Sequence, residues 1–396
     1  MKNNREKVVI ADIAVLYDSL HKTPKYSNDG YPMVRVTDIN RGYLDLSNTK
    51  KVDENTYKEF TKKYKPQVGD ILFSRVGSYG NSSYVNNHEK FCLGQNTVCI
   101  SPNHHLIDSF YLYCCLNSFS VKQQIDAFVG GVAQPTISLK NINLLEIPYP
   151  NLPTQKKIAA ILSAYDDLIE NNTRRIEILE EMARSIYREW FVKFRFPGHE
   201  QTQMVDSELG LIPEGWEVGR LDDALILQRG FDLPTQQRKG GNIPIYASTG
   251  VTGTHNEAKV KAPGVVTGRS GSLGTVIYID EDFWPLNTTL WVKEFRRVTP
   301  LYAFYLLSDL KLEQYNSGAA VPTLNRNDIH GRPVVIPPQK LLEQLNLFVE
   351  PLLVLKKNLL KRSDNLRKTR DLLLPRLISG EIDVENLDIN TGEIAA

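Results

Sequence analysis

The stretch IAAILSAYDDLIENNTRRIEILEEMARSIYREWF, residues 158–191, decides the architecture because it is one long, regular helical pattern. Its apolar side chains recur at alternating steps of four and three residues, which predicts a helix with a seam for a partner helix. The seam consists of Ile158, Leu162, Tyr165, Ile169, Asn172, Ile176, Leu179, Ala183, Ile186 and Trp190. Asn172 is its one strongly polar member, and a single buried Asn commonly fixes the register of a helix pair.

A second, weaker helical pattern near the C-terminus supplies a partner for this seam. It contains Leu341, Leu345, Phe348, Leu352, Leu355, Leu359, Leu366 and Leu373, with interruptions at Arg362 and Thr369. Proline lacks the N–H and clashes with the preceding turn, so we expect a kink or restart at Pro351 and a stop at Pro375. Antiparallel pairing would bury both seams. The alternatives are that each helix packs on its own globular segment or serves homodimerisation.

The segments that flank the central helix form an internal repeat. GDILFSRVGSYG at 69–80 matches PGVVTGRSGSLG at 263–274, and GGVAQPTISLKNINLLEIPYP at 130–150 matches SGAAVPTLNRNDIHGRPVVIPP at 317–338. The repeat aligns Arg75, Gly77, Ser78, Gly80, Pro135, Thr136 and Ile142 with Arg269, Gly271, Ser272, Gly274, Pro322, Thr323 and Ile329. Each copy has short strand-like runs broken by turn residues and one helical stretch, which predicts two similar mixed α/β units.

The predicted organisation alternates globular and helical segments. The first unit covers 1–152, the central helix 153–193, a linker with the second unit 194–338, the terminal helix 339–380 and an acidic tail 381–396. The expected fold is therefore α/β, with two similar domains separated by a pair of long antiparallel helices that form a coiled-coil spacer.

Composition limits the class of protein. The chain has 396 residues, 41% of them hydrophobic and 23% charged, which suits two or three globular domains. No apolar run is long enough to span a bilayer and no signal-peptide pattern opens the chain, so we expect a cytoplasmic protein. The cysteines form no Cys-x-x-Cys pair and the histidines lack zinc-ligand spacing, which predicts buried thiols and no metal site.

Charge is unevenly distributed along the chain. The net charge is +1, but residues 197–339 carry 13 Lys/Arg against 16 Asp/Glu, a balance of −3. Residues 340–376 carry nine basic and four acidic side chains, a balance of +5. This distribution permits a nucleic-acid partner only where basic residues gather on one surface.

Three motifs resemble the specificity (S) subunit of type I restriction–modification systems. The stretch from PNLPTQKKIAAIL to WFVKFRFPG, residues 150–198, resembles the central conserved region of that family. RDLLLPRLISGEI at 370–382 resembles its C-terminal conserved region, and IPEGWEVGRL at 212–221 the entry to its second target recognition domain. The resemblance covers nearly the whole chain. It implies two α/β target recognition domains joined by an antiparallel helix pair.

The resemblance also implies the function and the partners. An S subunit binds double-stranded DNA at a bipartite sequence, with one recognition domain for each half-site and the helices setting the gap. It is not catalytic and binds no cofactor itself. Methyltransferase (M) subunits carrying S-adenosylmethionine dock on it, and restriction (R) subunits, which use ATP and Mg, then join. We expect M docking on the outer helix faces, near Arg174, Arg175, Glu180 and Glu181.

Candidate DNA-binding residues come from the repeated loops and from two basic clusters. The loops offer arginine, hydroxyl and amide groups for bases, and the clusters offer charge for phosphates. The candidates are Arg75, Ser78, Tyr79, Asn81, Arg269, Ser270 and Ser272 in the loops, and Lys62, Lys63, Arg238 and Lys239 in the clusters. The second domain has a net negative charge. To bind DNA, it therefore requires its basic residues to share one surface, namely Arg229, Arg238, Lys239, Lys259, Lys261 and Arg269. The alternative is that the loops are tight turns with structural arginine ion pairs, and the clusters solvated faces.

The sequence patterns that would indicate an enzyme are weaker. The Pro-Pro-aromatic turn of an amino-methyltransferase is missing, and GRSGSLG lacks the Gly-Lys-Ser/Thr ending of a phosphate loop. Glu257 and Lys259, with Asp232 upstream, have the spacing of a metal-dependent nuclease, but such a triple arises often by chance. The alternative to DNA recognition is a scaffold in which paired helices hold two ligand- or protein-binding heads. Steep salt dependence of DNA affinity would distinguish the two.

Overall fold

The computed structural model describes residues 5–130, 134–318 and 320–392. The chain divides into two compact units: unit 1 contains the residues up to 174 and those from 359 onward, and unit 2 contains 175–358. The division cuts both long helices, so each unit holds a part of each. The segment boundaries expected from the sequence follow the helix ends instead, and they stay predictions.

Unit 1 is a mixed α/β unit with three sheets. Its elements are β1 Lys7–Val9, α1 Ile10–Ile13, β2 Ala14–Asp18, β3 Tyr31–Val34, β4 Gly42–Tyr43, β5 Lys50–Val52, α2 Glu54–Phe60, β6 Ile71–Ser74, β7 Ser82–Tyr84, β8 Cys92–Leu93, β9 Thr97–Pro102, α3 Ser109–Leu116, α4 Phe119–Phe128, α5 Leu139–Asn143, β10 Glu146–Pro148 and the long helix α6, Leu152–Tyr187. Side chains of Asp53, Asp108 and Ser138 cap the N-termini of α2, α3 and α5.

Unit 2 begins within α6, which ends in a π-helical turn, Arg188–Val192. Its further elements are β11 Met204–Ser207, β12 Gly210–Pro213, β13 Glu217–Arg220, α7 Leu221–Ala224, β14 Leu225–Arg229, β15 Ile243–Ala247, β16 Gly250–His255, β17 Gly264–Gly268, β18 Val276–Ile279, β19 Trp284–Pro285, β20 Thr289–Phe295, α8 Pro300–Asp309, α9 Arg326–His330, β21 Pro333–Ile336 and the long helix α10, Gln339–Ser379.

The two units repeat one sheet topology. The strand order β2-β9-β6-β7 in unit 1 corresponds to β14-β20-β17-β18 in unit 2, and β5-β3-β8 corresponds to β16-β15-β19. The pair β1-β10 corresponds to β13-β21, and β3–β8 and β15–β19 are both parallel. Unit 1 extends its largest sheet by β4. The repeat seen in the sequence is therefore a repeat of the fold, and the prediction of two similar mixed α/β domains is confirmed.

Each unit has its own apolar core. In unit 1 the sheet packs Phe73 and Ile100 against Tyr111 of α3, and all three side chains are fully buried.

All four cysteines are buried thiols, as predicted, and burial raises the pKa of Cys92 to about 12. Within the described residues, no helix is long and apolar enough to cross a membrane.

In unit 1 the two long helices pack antiparallel through polar as well as apolar contacts. Asp166 of α6 forms an ion pair with Arg370 of α10, and Asn172 Nδ2 donates to Ser363 Oγ at 3.1 Å. Because the α10 numbers fall as the α6 numbers rise, the helices run in opposite directions. All four of these side chains are buried. The seam asparagine thus has a specific partner, which fixes the register.

In unit 2 the same helices again run antiparallel. Glu180 forms an ion pair with Lys356 at 2.5 Å, and the rings of Trp190 and Phe348 meet edge to face at 5.5 Å. The buried residues of the expected seams are Ile158, Leu162, Ile169, Asn172, Leu179, Ala183, Leu341, Leu345 and Leu359, and the half-buried ones are Tyr165, Ile176, Ile186, Trp190, Leu352, Leu366 and Leu373.

The seam of α10 differs from the expected one in two respects. Phe348 and Leu355 are 56% and 39% exposed, whereas Val349 is buried. Phe348 still packs edge to face on Trp190 of α6, whereas Leu355 is not buried in the seam. Ser363 and Arg370, one residue after the expected interruptions at Arg362 and Thr369, are buried and contact α6, so this part of the seam runs one residue later than expected.

The expected restart at Pro351 and stop at Pro375 are also wrong, since α10 runs continuously through both, and the alternative of a kink at Pro351 stays a prediction. Both prolines are exposed, while Val349 and Leu374 nearby are buried. Packing of the neighbouring turns compensates for the backbone hydrogen bond that each proline cannot make.

Candidate nucleic-acid interface

The repeated glycine-arginine loop and the repeated Pro-Thr segment meet at the same corner of each unit. In unit 1 the Gly77 N–H donates to the Pro135 carbonyl at 3.1 Å, and the Ile137 N–H donates to the Arg75 carbonyl at 3.0 Å. In unit 2 Gly271 donates to Pro322 at 3.0 Å and Leu324 to Arg269 at 2.8 Å. Both motifs of the repeat therefore build one backbone corner.

Two glycines in each loop have a left-handed backbone, with φ of 72° at Gly77, 75° at Gly80, 87° at Gly271 and 84° at Gly274. A side chain would be strained at these angles, so the repeated glycines meet a requirement of the turn. The loop spacing is thus explained by backbone geometry, and the function of each corner depends on the side chains around it.

In unit 1 the corner arginine is used within the protein. Arg75 Nη1 contacts Asp18 Oδ1 at 2.7 Å, and Arg75 Nε donates to the Ile137 carbonyl at 3.3 Å. The two charged side chains are only 13% and 22% exposed. This geometry favours the structural alternative for Arg75 over direct contact with DNA.

In unit 2 the corner opens into a cleft of about 690 Å³. Its lining consists of Gln228, Arg229, Gly230, Phe231, Asp232, Arg269, Leu290, Ser317, Thr323, Leu324, Asn325, Arg326 and Asn327. Arg229 ends β14, where the matching strand β2 of unit 1 ends in Asp18. Asp18 holds Arg75 in unit 1. At the matching position beside Arg269, unit 2 has an arginine in place of that aspartate.

The other loop candidates of unit 1 lie beside its corner. Ser78 is exposed, whereas Tyr79 and Asn81 are half-buried. The negative charge of Asp126 raises the pKa of the Tyr79 hydroxyl, so this group is a neutral donor at physiological pH. The Asn81 backbone exchanges hydrogen bonds with Ser74 at the loop base. Of these three residues, Ser78 is therefore the one that the loop exposes to solvent.

The basic cluster of unit 1 borders a second cleft, of about 810 Å³. Lys62 lines it with Lys58, Lys65 and Lys90. Lys63 faces a smaller cavity of about 270 Å³, next to Tyr17 and Tyr64, whose rings stack at 3.7 Å. Lys62 and Lys63 are both exposed. The sequence cluster therefore belongs to a lysine-rich surface of unit 1.

Several of the unit 2 candidates do not line this cleft and have contacts of their own. Arg238 donates to the Thr252 carbonyl at 3.2 Å, and the Lys239 N–H donates to His255 Nδ1 at 3.0 Å. Lys259 pairs with Glu257 at 2.6 Å.

Other unit 2 residues have structural contacts of their own. Lys261 pairs with Asp282 at 2.6 Å. The Ser270 N–H donates to the Thr288 carbonyl at 3.1 Å, and the Ser272 carbonyl lies against Gly268. Of the six basic residues expected together, Arg229 and Arg269 line the cleft. That all six share one larger surface stays a prediction.

Arg326 is the cleft residue that the sequence reasoning missed. It is the first residue of α9, directly after the capping residue Asn325, and its Nη1 donates to the Leu227 carbonyl at 3.4 Å. The matching position in unit 1 is Leu139, after Ser138. Alignment of the two copies around their Pro-Thr segments contains this difference, and it is the signal that could have identified Arg326.

The nuclease pattern does not form a metal site. Across residues 5–130, 134–318 and 320–392, no three His, Cys, Asp or Glu side chains are placed to hold a metal ion. Glu257 is engaged by Lys259, and Asp232 accepts from the side chain of Asn287.

Comparison with known proteins identifies the class to which this duplicated fold belongs. A family model described as the type I restriction modification DNA specificity domain matches residues 4–181 and 213–344. The type I restriction enzyme MjaIX specificity subunit of Methanocaldococcus jannaschii is 28% identical, over 92% of this chain and 90% of that protein. The putative MjaX specificity subunit of the same organism is 26% identical, with the same coverage.

A solved structure shares the fold. The crystal structure of a type I restriction-modification system S subunit from M. genitalium matches with a TM-score of 0.61 at 20% identity. The match covers 95% of this chain and 97% of that one.

The chain belongs to the type I restriction–modification specificity family. It is a non-catalytic specificity subunit that recognises DNA sequence with two domains. The resemblance noted in the sequence is confirmed, and the comparisons give no support to a scaffold without DNA.

Proposed function

We propose that this specificity subunit recognises a bipartite duplex target, with one half-site for each unit and a gap set by the paired helices. The observation that carries the proposal is the duplicated corner, which has the same backbone in both units and different side chains around it. Two copies of one scaffold with different surfaces suit two different short sequences.

Each unit offers groups for both kinds of DNA contact. Of the lysines that line the unit 1 cleft, Lys58 pairs with Glu54, and Lys62, Lys65 and Lys90 suit phosphates. Ser78, Tyr79 and Asn81 suit base edges. In unit 2 the arginine-lined cleft also contains Asn327, whose side-chain amide can pair with a base. These arrangements support a division between residues that position the duplex and residues that read it.

The proposed partners are M subunits and R subunits, which would carry S-adenosylmethionine, ATP and Mg. The relatives are named as specificity subunits of type I restriction enzymes, which supports such an assembly. In unit 2 the helices expose apolar side chains, with Ile178 and Met182 on α6 58% and 48% exposed, and Leu347 and Val354 on α10 74% and 60% exposed. Exposed apolar side chains of this kind suit a protein partner, and we assign them to the M subunits.

The test is selection from a pool of random duplexes by this chain in complex with its M subunits. The expected product is a motif of two short half-sites separated by a fixed gap. A single contiguous motif would mean that only one unit reads DNA, which contradicts the bipartite proposal. No enrichment by an intact complex would contradict DNA recognition itself.

A further inference from the structure

The end of one strand distinguishes the two units. β2 and β14 each follow a one-turn helix and each pairs antiparallel with the matching strand, β9 or β20. β2 ends in Asp18 and β14 ends in Arg229. In unit 1 this position neutralises the corner arginine. In unit 2 it adds a second positive charge to the corner.

The arginine cleft of unit 2 has an excess of positive charge. Arg229, Arg269 and Arg326 line it with one carboxylate, Asp232, whose Oδ1 lies 3.6 Å from Arg229 Nη2. Over the ranges that the structure describes, Arg269 and Arg326 have no carboxylate within 4.0 Å. The lining of the cleft therefore contains three guanidinium groups and one carboxylate, a net charge of +2.

Most of the donor groups in this cleft are available. Arg269 Nη1 donates to the Asn287 carbonyl at 3.4 Å, and Arg326 Nη1 donates to the Leu227 carbonyl at 3.4 Å. A guanidinium has five N–H donors, so each of these long contacts occupies a small part of its capacity. Arg229 is 53% exposed. The cleft can thus offer several converging N–H groups to an incoming anion.

We propose that this cleft binds a phosphate group of the DNA backbone and anchors unit 2 on its half-site. The assignment rests on the proposed function. A guanine edge is uncharged and takes one guanidinium in a bidentate contact, so it leaves the charge of the other arginines uncompensated. A phosphodiester carries a negative charge and acceptor oxygens that several guanidinium groups can share. The corner of unit 1 lacks this charge because Asp18 holds Arg75.

The test converts the unit 2 corner to the charge pattern of unit 1. In Arg229→Asp, the new carboxylate can pair with Arg269 as Asp18 pairs with Arg75. We expect the slope of log affinity against log salt for the cognate duplex to become shallower by about 1 to 2, because fewer counterions are released. Affinity in 0.1 M salt should fall on the order of tenfold. The selected sequence should stay the same.

Two further variants control for charge and for folding. Lys293→Asp changes the net charge equally at an exposed position of β20 outside the cleft, and it should leave the salt slope near that of the wild type. Arg326→Gln keeps a donor for the Leu227 carbonyl and removes one charge, and it should reduce the slope by about 1. Circular dichroism melting of each complex identifies any variant that has lost its fold, and Arg326→Gln then decides the question.

The outcomes separate this proposal from the function on which it rests. A shallower slope with an unchanged motif supports phosphate binding in the cleft. A changed half-site with an unchanged slope would show that the cleft reads bases, which overturns the assignment. Wild-type slope and motif in folded Arg229→Asp and Arg326→Gln would overturn it as well. If the wild-type complex selects no duplex at all, the proposed function itself fails.

Discussion

Asp18 at the end of β2 pairs with Arg75 at 2.7 Å, whereas Arg229 at the end of β14 leaves the matching arginine, Arg269, facing an open cleft. The backbone hydrogen bonds of the two corners match nearly one for one. The charged side chain beside the second loop glycine also differs between the units. Lys122 lies against Gly80 in unit 1, whereas Glu313 lies against Gly274 in unit 2.

This difference shows how one scaffold can serve two specificities. Backbone hydrogen bonds and left-handed glycines define the corner, so it does not depend on the side chains beside it. Those side chains are then able to differ between the copies without a change of fold. Unit 1 contains ion pairs between largely buried side chains, Asp18–Arg75 and Asp166–Arg370, whereas unit 2 has an arginine cluster that lines an open cleft.

The largest expected effect comes from breaking a buried ion pair of unit 1. Asp166→Ala leaves Arg370, only 8% exposed, with the more exposed Asp371 as its remaining ion-pair partner within the described residues. We expect a loss of about 3 kcal/mol in the free energy of unfolding, measured by denaturant titration. The matched unit 2 variant, Glu180→Ala, removes the exposed partner of Lys356 and should cost about 0–1 kcal/mol. Equal losses in the two variants would contradict the contrast between the units.

The second effect concerns Lys122, whose amino group donates to the Gly80 carbonyl. Burial, assisted by the positive charge of Arg41, lowers the pKa of Lys122 to about 8. The unfolded chain therefore binds more protons between about pH 8 and pH 10.5, and the stability contribution of Lys122 rises as pH increases through this range.

Comparison with Lys122→Met measures this contribution. The wild type should gain on the order of 1–2 kcal/mol relative to the variant between pH 7 and pH 10.5, measured by denaturant unfolding at each pH. Lys122→Arg is the control: neither Met nor Arg titrates in this range, so the two variants should differ from each other by a constant amount. A wild-type curve parallel to both variants would show that Lys122 does not titrate abnormally.

The smallest effect tests whether the two corners are the same backbone structure. Gly77→Ala and Gly271→Ala each place a side chain at a left-handed position, and each should cost about 1 kcal/mol by denaturant unfolding. An ideal Cβ at Gly77 meets no atom within 4 Å, and one at Gly271 only the Ser248 hydroxyl at 3.8 Å, so strain rather than a clash sets the cost. A difference of more than about 1 kcal/mol between the two variants would mean that the corners are not equivalent.

Sequence patterns predicted the elements that depend on local periodicity and on repetition. The heptad seam of α6 and the two copies of the corner are visible because each repeats within the chain. The pair Asp18–Arg75 joins residues 57 positions apart, and no local pattern marks it. Ser363 and Arg370 were missed as seam residues because their polarity hides them until Asn172 and Asp166 are placed opposite. Arg326 lies outside the repeated residues, and only comparison with Leu139 at the matching position of the first copy marks it.

The central claim is that the paired helices set the distance between two half-sites. The measurement is duplex selection with a chain carrying three added heptads in each helix, between Arg174 and Arg175 and between Asn358 and Leu359, where the two units divide. Twenty-one residues add about 32 Å, close to one turn of B-DNA, so both units keep their face of the duplex. We expect unchanged half-sites and a gap about nine base pairs longer. An unchanged gap, selected by a folded complex, would contradict it.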